Sequence, residues 1–486
     1  MIPSFSRITG DEKTQLIRIA LVTLIGVATA LAYANSYYTA FVFDDIDAVV
    51  DNPGIRQLWP IRIPEQSSVA GRPIIAFTLA VNYAISGLNP WSYHLFNVTI
   101  HIVNAWLFFA ILRRSAVRDW AAAVTAILWA LHPLNTEAVT YITQRTELLA
   151  AVFLLFTLYC AIRSLGSPYE KLWAAMGILC AVIGSGAKEI MFAAPLVVMA
   201  YDRIFFERRR LGLYAALLST WILVGMTIAV GSRNKTVGFG LSVSSWDYLK
   251  TQSAVILHYL RLAVWPHPLL LDYSDWPMAP RLMSVLPQAI IVVLFLGLTV
   301  WALYRRSVLG FLGVWFFVIL APTSSVIPII TEPAAERRMY LPLMAVIAAV
   351  AYGISRLPLR PYLWVAAAGI VALIFGPMTH RRNRDYRSEV TIWTDVVNKH
   401  PNNGGAHGSL GLALFSQGRV EEALPHLLEY ARRHPELAAT HYNLGAAYLF
   451  LKRPIQAAKE YEEAIRIDPT LEAPRTQLEL LRQREK

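Results

Sequence analysis

The sequence predicts an all-α protein, with a polytopic membrane domain of about eleven transmembrane helices followed by a smaller helical-repeat domain. Three observations carry that expectation. The 486 residues are 56% hydrophobic and only 16% charged, with mean hydropathy +0.43. Near-continuous apolar runs recur from Ile19 to Thr379, more than a soluble core would use. Beyond Thr379 the chain turns polar and amphipathic, and it matches itself at a 34-residue offset.

Taken in order, apolar segments near the roughly 20 residues that a crossing needs run over 17–37, 92–112, 119–132, 147–163, 172–187, 190–206, 211–231, 285–304, 307–328, 339–355 and 361–379. Arg7, Lys13 and Arg18 precede or open the first, and no small-residue cleavage site ends it. That reads as an uncleaved signal anchor with a cytoplasmic N-terminus. In this orientation Arg113–Arg114, Arg163 with Lys171, Arg208–Arg209–Arg210, Arg305–Arg306 and Arg356 with Arg360 fall at every second connection, as the excess of basic residues in cytoplasmic loops requires. The net charge of +11 is therefore mainly loop charge between spans, which argues against nucleic-acid binding. The connection after the first span, the connection 232–284 and everything after 379 are then expected outside, in the periplasm or beyond. Within 232–284, "WDYLKTQSAVILHYLRLAVW" has helical apolar spacing but carries Asp247, Lys250, His258 and Arg261. It reads as an interfacial helix; a crossing there would turn the C-terminus inward. Cys160 and Cys180 both lie in apolar runs, so they read as packing residues, not a disulfide or zinc framework.

The repeat pairs Leu410 with Leu444, Gly411 with Gly445, Leu414 with Tyr448, Ala423 with Ala457, Leu427 with Tyr461 and Pro435 with Pro469. Trp393, Val396 and Pro401 supply a preceding half-unit at the same phase. The period, the small residues where two helices approach and the closing prolines resemble the tetratricopeptide repeat. Two full units suit either a stacked-helix lid or a groove for an extended peptide or partner, and so short an array is expected to lean on the membrane domain.

Charges beside spans are costly and are candidates for function. Those on the outward side are Asp44 and Asp45; Arg72 in "GRPI"; His132, Glu137, Arg145 and Glu147 in "HPLNTEAVTYITQRTELLA"; Lys188 and Glu189 in "GAKE"; and Glu336, Arg337 and Arg338 in "ERRMYLP". Arginines and lysines there could hold a phosphate by charge-assisted hydrogen bonds, and a carboxylate beside them could take a proton from a hydroxyl. Plainer readings stand next to these. Lys188–Glu189 and Glu336–Arg337 also read as mutual ion pairs, Glu137 and Glu147 as partners of Arg145, and His132 before Pro133 as a helix cap. Asp45-x-Asp47 has a short metal-ligand spacing too common to favour a divalent ion, and Asp51–Asn52–Pro53–Gly54 reads as a turn. Asp44 follows "FVF" directly, so burial would raise its pKa and strengthen it as a base.

Together, "FDD" after the first span, "GRPI", "HPLNTEAVTYITQRTELLA", "AKE" and "ERRMYLPLM", followed by the repeats, resemble the TMTC-type proteins. Those are transmembrane and tetratricopeptide-repeat O-mannosyltransferases of the GT-C glycosyltransferase class. The short repeat array departs from the long one of the animal members and points to a bacterial or archaeal relative. The resemblance implies an inverting enzyme that takes a sugar from a polyprenyl-phosphate donor on the non-cytoplasmic face; no cofactor is required by this reading, and a divalent metal is possible but not favoured. Its acceptor would be a serine or threonine hydroxyl of an exported protein, with a lipid or glycan acceptor as the sister reading and a non-catalytic repeat scaffold as the other class. By position Asp44 would be the general base, with Asp45 orienting the acceptor or sharing that role. Arg337, Arg338, Arg145, Arg72 and Lys188 would hold the lipid phosphate, and His132, Glu137, Glu189 and Glu336 would meet the sugar or acceptor or orient the cations.

Overall fold

The computed structural model describes residues 10–60, 67–206, 209–230, 237–238, 243–358 and 360–484; Arg7 and Arg208 of the topology argument lie outside them. Among the described residues the regular structure is helical, and the β-type pairing is one isolated antiparallel bridge between Val237 and Ile329. It divides into two compact units, one of residues up to Leu269 with Met278–Tyr386, the other of Leu270–Pro277 with residues from Arg387 onward.

The first unit contains α1 (Gly10–Ala32), α2 (Pro73–Ser86), α3 (Trp91–Arg114), α4 (Asp119–Ala130), the single turn α5 (Thr136–Thr140), α6 (Arg145–Arg163) and α7 (Glu170–Ser185). It continues with α8 (Ala193–Phe205), α9 (Leu211–Val230), α10 (Ser245–Val264), α11 (Leu286–Tyr304), α12 (Val308–Leu320), α13 (Pro342–Ser355) and α14 (Pro361–Asn383). Every expected span has a helix. Among the described residues five segments are long and apolar enough to cross a membrane: 12–38, 91–114, 142–163, 282–304 and 361–387. The other apolar helices are shorter. This is a multi-pass membrane protein.

Three expectations need correction. The apolar run at 307–328 is helical only to Leu320, because Pro322, Pro328 and Pro333 remove backbone donors and break helical φ/ψ. Helix α2 has no counterpart among the expected spans; Pro73 at its first turn starts it and Gly87, at φ 58°, ends it. The first unit also runs past Thr379 to Tyr386, because α14 is tied into it beyond the composition change. Thr379 Oγ1 donates to the Leu131 carbonyl at 2.8 Å, and Asn383 Nδ2 donates to the Ala32 carbonyl at 3.1 Å. Helix α10 is not among the helices apolar enough to cross. One face of it is buried, with Gln252 donating to the Pro333 carbonyl and the Tyr259 hydroxyl accepting from the Ala335 N–H at 2.8 Å.

The second unit stacks α15 (Glu389–Lys399), α16 (Gly404–Ser416), α17 (Val420–Arg433), α18 (Ala438–Phe450), α19 (Pro454–Ile467) and α20 (Glu472–Arg484). The glycines matched by the repeat stand where paired helices touch. A Cβ on Gly411 would lie 2.7 Å from Leu427, and one on Gly445 would lie 2.7 Å from the Tyr461 ring. The segment Leu270–Pro277 belongs here as well: Asn403 Nδ2 donates to Asp272 at 2.8 Å, and His400 Nδ1 lies 2.9 Å from Asp275. Gly445→Val overpacks the α18–α19 seam, so it is expected to cost about 1–3 kcal/mol. Amide exchange over 438–467 in the full chain should quicken while the first unit is unchanged.

Candidate active site

The candidate residues hang on a polar stripe along α3. His94, Asn97, His101 and Asn104 recur every three or four residues, and all are fully buried, so they share one helix face. Sequence reading passes over them because they are neutral and sit inside an apolar run. Their task is to satisfy backbone groups that a membrane interior leaves without water. His94 Nε2 meets Thr39 Oγ1 at 2.8 Å, Asn97 Nδ2 donates to the Val139 carbonyl at 3.2 Å, and His101 Nε2 donates to the Ala130 carbonyl at 3.0 Å. Asn104 Nδ2 donates to the Leu148 carbonyl at 3.0 Å and to the Tyr340 hydroxyl at 3.1 Å, while His101 Nδ1 meets the same hydroxyl at 2.7 Å. The stripe thus fixes the loop before Asp44, the stretch 130–148 and the start of α13 to one helix.

Arg145 completes that scaffold. Its Nε donates to Asn97 at 2.8 Å, Nη1 to Asn82 at 2.6 Å and to Thr78 at 3.3 Å, and Nη2 to the Tyr93 carbonyl at 3.0 Å. The side chain is fully buried over the Phe96 ring. With its donors spent on α2 and α3, it is a strut, not a free phosphate ligand. Arg338 is likewise engaged, donating to the carbonyls of Glu332 at 2.6 Å, Thr323 at 3.1 Å and Pro333 at 3.1 Å. It holds the irregular stretch that replaces the end of the expected span. His132 is the cap that its plainer reading describes: Nδ1 accepts from the Leu134 N–H at 3.1 Å and Nε2 meets the Ala263 carbonyl at 3.1 Å.

The first outer acids separate. Phe43 has φ 51°, a conformation uncommon for a large side chain and found with strain at functional sites. After this turn Asp45 is fully buried, with Oδ1 accepting from the Thr143 N–H at 2.8 Å and Oδ2 from the Val42 N–H at 3.2 Å. Burial pushes its pKa up to about 7 against those hydrogen bonds. Asp44 is only half-buried. Its N–H donates to the Tyr141 hydroxyl at 2.9 Å, and among the described residues no cation lies within ion-pair distance of its carboxylate. Burial, and after it the charge of Glu332, raise its pKa to about 6 against the pull of Arg337. Asp47 instead braces the loop, Oδ2 accepting from the Ser68 N–H at 2.8 Å. Asn52 Oδ1 accepts from the Gly54 N–H at 2.9 Å, which makes 51–54 a turn. Asp45→Asn sets an amide donor against one of two backbone donors, so a loss of about 1–3 kcal/mol is expected in thermal unfolding.

The cations opposite Asp44 are paired differently from every plain reading. Arg337 lies between two carboxylates: Nη1 donates to Glu137 Oε1 at 2.5 Å, its N–H to Glu137 Oε2 at 2.8 Å, and Nη2 bonds Glu332. Burial opposes the charge on Arg337, but these carboxylates raise its pKa further. Lys188 pairs with Glu147, not with Glu189, and Glu189 reaches Arg72 at 3.3 Å. Burial lowers the Lys188 pKa while Glu147 raises it. Glu336, the chain neighbour of Arg337, is itself buried. Glu332, missed by the sequence reading, sits among Arg337, Arg338 and Lys188, whose charges hold its pKa down near 2 against its burial. Its signal is an acid beside Pro333 inside the apolar stretch "VIPIITEPAA". The fold therefore gathers Asp44, Tyr141, Glu137, Glu332 and Arg337 into one electrostatic cluster. Beside it stand two salt bridges joined through adjacent residues, Arg72 with Glu189 and Lys188 with Glu147. Among the described residues no three His, Cys, Asp or Glu side chains are placed to share a metal ion.

The repeat unit matches the tetratricopeptide repeat family over 379–438 and 409–472. Along nearly its whole length the chain is similar to protein O-mannosyl-transferase TMTC3 of Mus musculus, 26% identical with 93% of this chain and 55% of that protein covered. It is 27% identical to Tmtc3 of Drosophila melanogaster, over 92% of this chain and 58% of the relative. The chain is TMTC-like. It spans a little over half the length of these curated relatives. Among solved structures, apo ArnT from Cupriavidus metallidurans is 16% identical with TM-score 0.44, covering 93% of this chain and 78% of that one.

Proposed function

We propose that this TMTC-like chain is an inverting membrane glycosyltransferase that moves a sugar from a polyprenyl-phosphate donor to a serine or threonine hydroxyl of an exported protein, on the non-cytoplasmic face. The observation that carries the reading is the contrast at the cluster. Asp44 is half-buried, raised to about 6 and without an ion-pair cation among the described residues, while Arg337 is held in place by two carboxylates. A carboxylate that is ionised near neutrality and still accepts protons readily suits a general base. It would take the proton of the acceptor hydroxyl as that oxygen bonds to the anomeric carbon, and the phosphate would leave from the opposite face.

Arg337 supplies fixed positive charge for the leaving phosphate, with five N–H donors of which its carboxylates need only part. Preorganised charge in a poorly hydrated site is where most of the acceleration arises. Lys188 and Arg72 are the next candidates for the phosphate, each already in one ion pair. Arg145 and Arg338 drop from that role to support. Asp45 orients the loop that carries Asp44. The relatives named as O-mannosyl-transferases favour a hexose donor and a protein acceptor, and the repeats are suited to hold an extended acceptor segment. The proposed mechanism works without a metal ion.

The test is transfer in vitro from a panel of polyprenyl-phosphate sugars to serine- and threonine-containing peptides, with Asp44→Asn as control. Transfer lost in the variant supports the reading. Sugar moved only to lipid or glycan acceptors would replace the protein acceptor, and equal transfer by the variant would remove the base. Chelator is expected to leave the rate unchanged; a loss restored by added divalent ion would bring in a metal.

A further inference from the structure

We propose that the cavity at the arginine-rich end of the membrane unit binds an anionic phospholipid, with one acyl chain inside and its phosphate on Arg118 and Arg356. The cavity has a volume of about 520 Å³ and lies among α3, α4, α12, α13 and α14. It is at the opposite helix ends from the candidate active site: α4 begins after Arg118 and α13 is followed by Arg356, whereas His132 follows α4 and Arg337 precedes α13. Along α13 it is lined from Met344 to Ser355, about 17 Å at ~1.5 Å per residue. That exceeds one leaflet of a hydrocarbon core ~30 Å thick, so a single acyl chain fits its length.

The wall carries Phe108, Leu155, Phe311 and Trp315, with Trp120 and Trp364 in the first turns of α4 and α14 at the arginine end. Indole rings of this kind favour the headgroup level. The charge at the mouth selects the headgroup. Arg18 and Arg113 at the same end share Asp119, at 2.8 Å and 2.7 Å. Arg118 and Arg356 line the cavity and are exposed, and among the described residues neither has a carboxylate within ion-pair distance. Arg356 instead meets the neutral Tyr352, by a 2.5 Å hydrogen bond and over its ring. Two uncompensated guanidiniums above an apolar slot between membrane helices make a site for a phosphate with a hydrocarbon tail.

The experiment is native mass spectrometry and thermal unfolding of the full chain in detergent, titrated with phosphatidylglycerol, phosphatidylcholine or a polyprenyl phosphate. One tightly held phosphatidylglycerol is expected, with a larger rise in Tm than phosphatidylcholine gives. Arg118→Gln with Arg356→Gln should weaken phosphatidylglycerol about thirtyfold, two surface charges at about 1 kcal/mol each, without changing the lipid-free Tm. Ala348→Trp, which fills the slot, should reduce binding of either phospholipid. Equal affinity for the two phospholipids, an unchanged arginine double variant, or preference for the polyprenyl phosphate would each overturn the proposal. Because both arginines lie far along the helices from Asp44, sugar transfer can fail or succeed without altering this outcome.

Discussion

Asp44→Asn is expected to lower sugar transfer by roughly 10²- to 10⁴-fold, the usual worth of a general base, while the protein inserts and unfolds as before. The stability half of that expectation follows from the environment. Among the described residues the Asp44 carboxylate has no ion-pair partner, so its amide leaves no buried cation uncompensated. The pH dependence has a definite sign. With the pKa raised to about 6, the base is lost as pH falls through 6, and transfer should fall with it and level off above. Stability runs the other way: the raised pKa gives a contribution that is full below the unfolded value of about 3.9 and is lost as pH rises through about 6. Above pH 6 the asparagine variant should therefore be no less stable than the parent. A rate profile flat between pH 5 and 8, or a variant with undiminished transfer, would remove Asp44 from the reaction.

Arg337→Gln is expected to cost about 3–5 kcal/mol of stability, because it leaves buried carboxylates without their cation, and to abolish transfer as well. Glu137 bears most of that loss. Its burial already raises its pKa and Arg337 is the chief influence drawing it back, so the variant should take up a proton there and be most stable at low pH. Adding Glu137→Gln should recover much of the Tm and none of the transfer. Recovery of both would make the arginine a structural tie only. If neither recovers, Glu332 would be the dominant partner, and Arg337→Gln with Glu332→Gln would be the informative pair.

The contrast among the five candidate cations shows what a sequence can and cannot disclose. All five are basic residues beside spans, and that much is visible in the letters. Whether each has donors to spare depends on neighbours that the fold supplies: Arg145 is claimed by Asn82 and Asn97, Lys188 by Glu147, and Arg338 by carbonyls of the irregular stretch 323–333 just before it. Charge adjacent in sequence misleads for the same reason. Lys188 and Glu189, or Glu336 and Arg337, are neighbours in the chain, but their backbone turns send the partners elsewhere. Glu332 and the α3 stripe escape notice for a related cause: the acid in "VIPIITEPAA" is a weak local signal, and four polar residues in an apolar run carry none.

The class of molecule is legible in the letters: helices repeated at membrane length, the 34-residue repeat, the base candidate after "FVF" and the arginines of "ERRMYLP". Those are properties of hydropathy, period and short motif, and each is complete within a few tens of residues. Folding is what separates Asp44 from Asp45, sets Arg337 beside Asp44 while Arg145 is tied to α2 and α3, and carries the first unit to Tyr386. These depend on which buried donor finds which acceptor. In a membrane interior that pairing is compulsory, and it is settled between segments 48 to 200 residues apart, from Arg145 with Asn97 to Arg337 with Glu137.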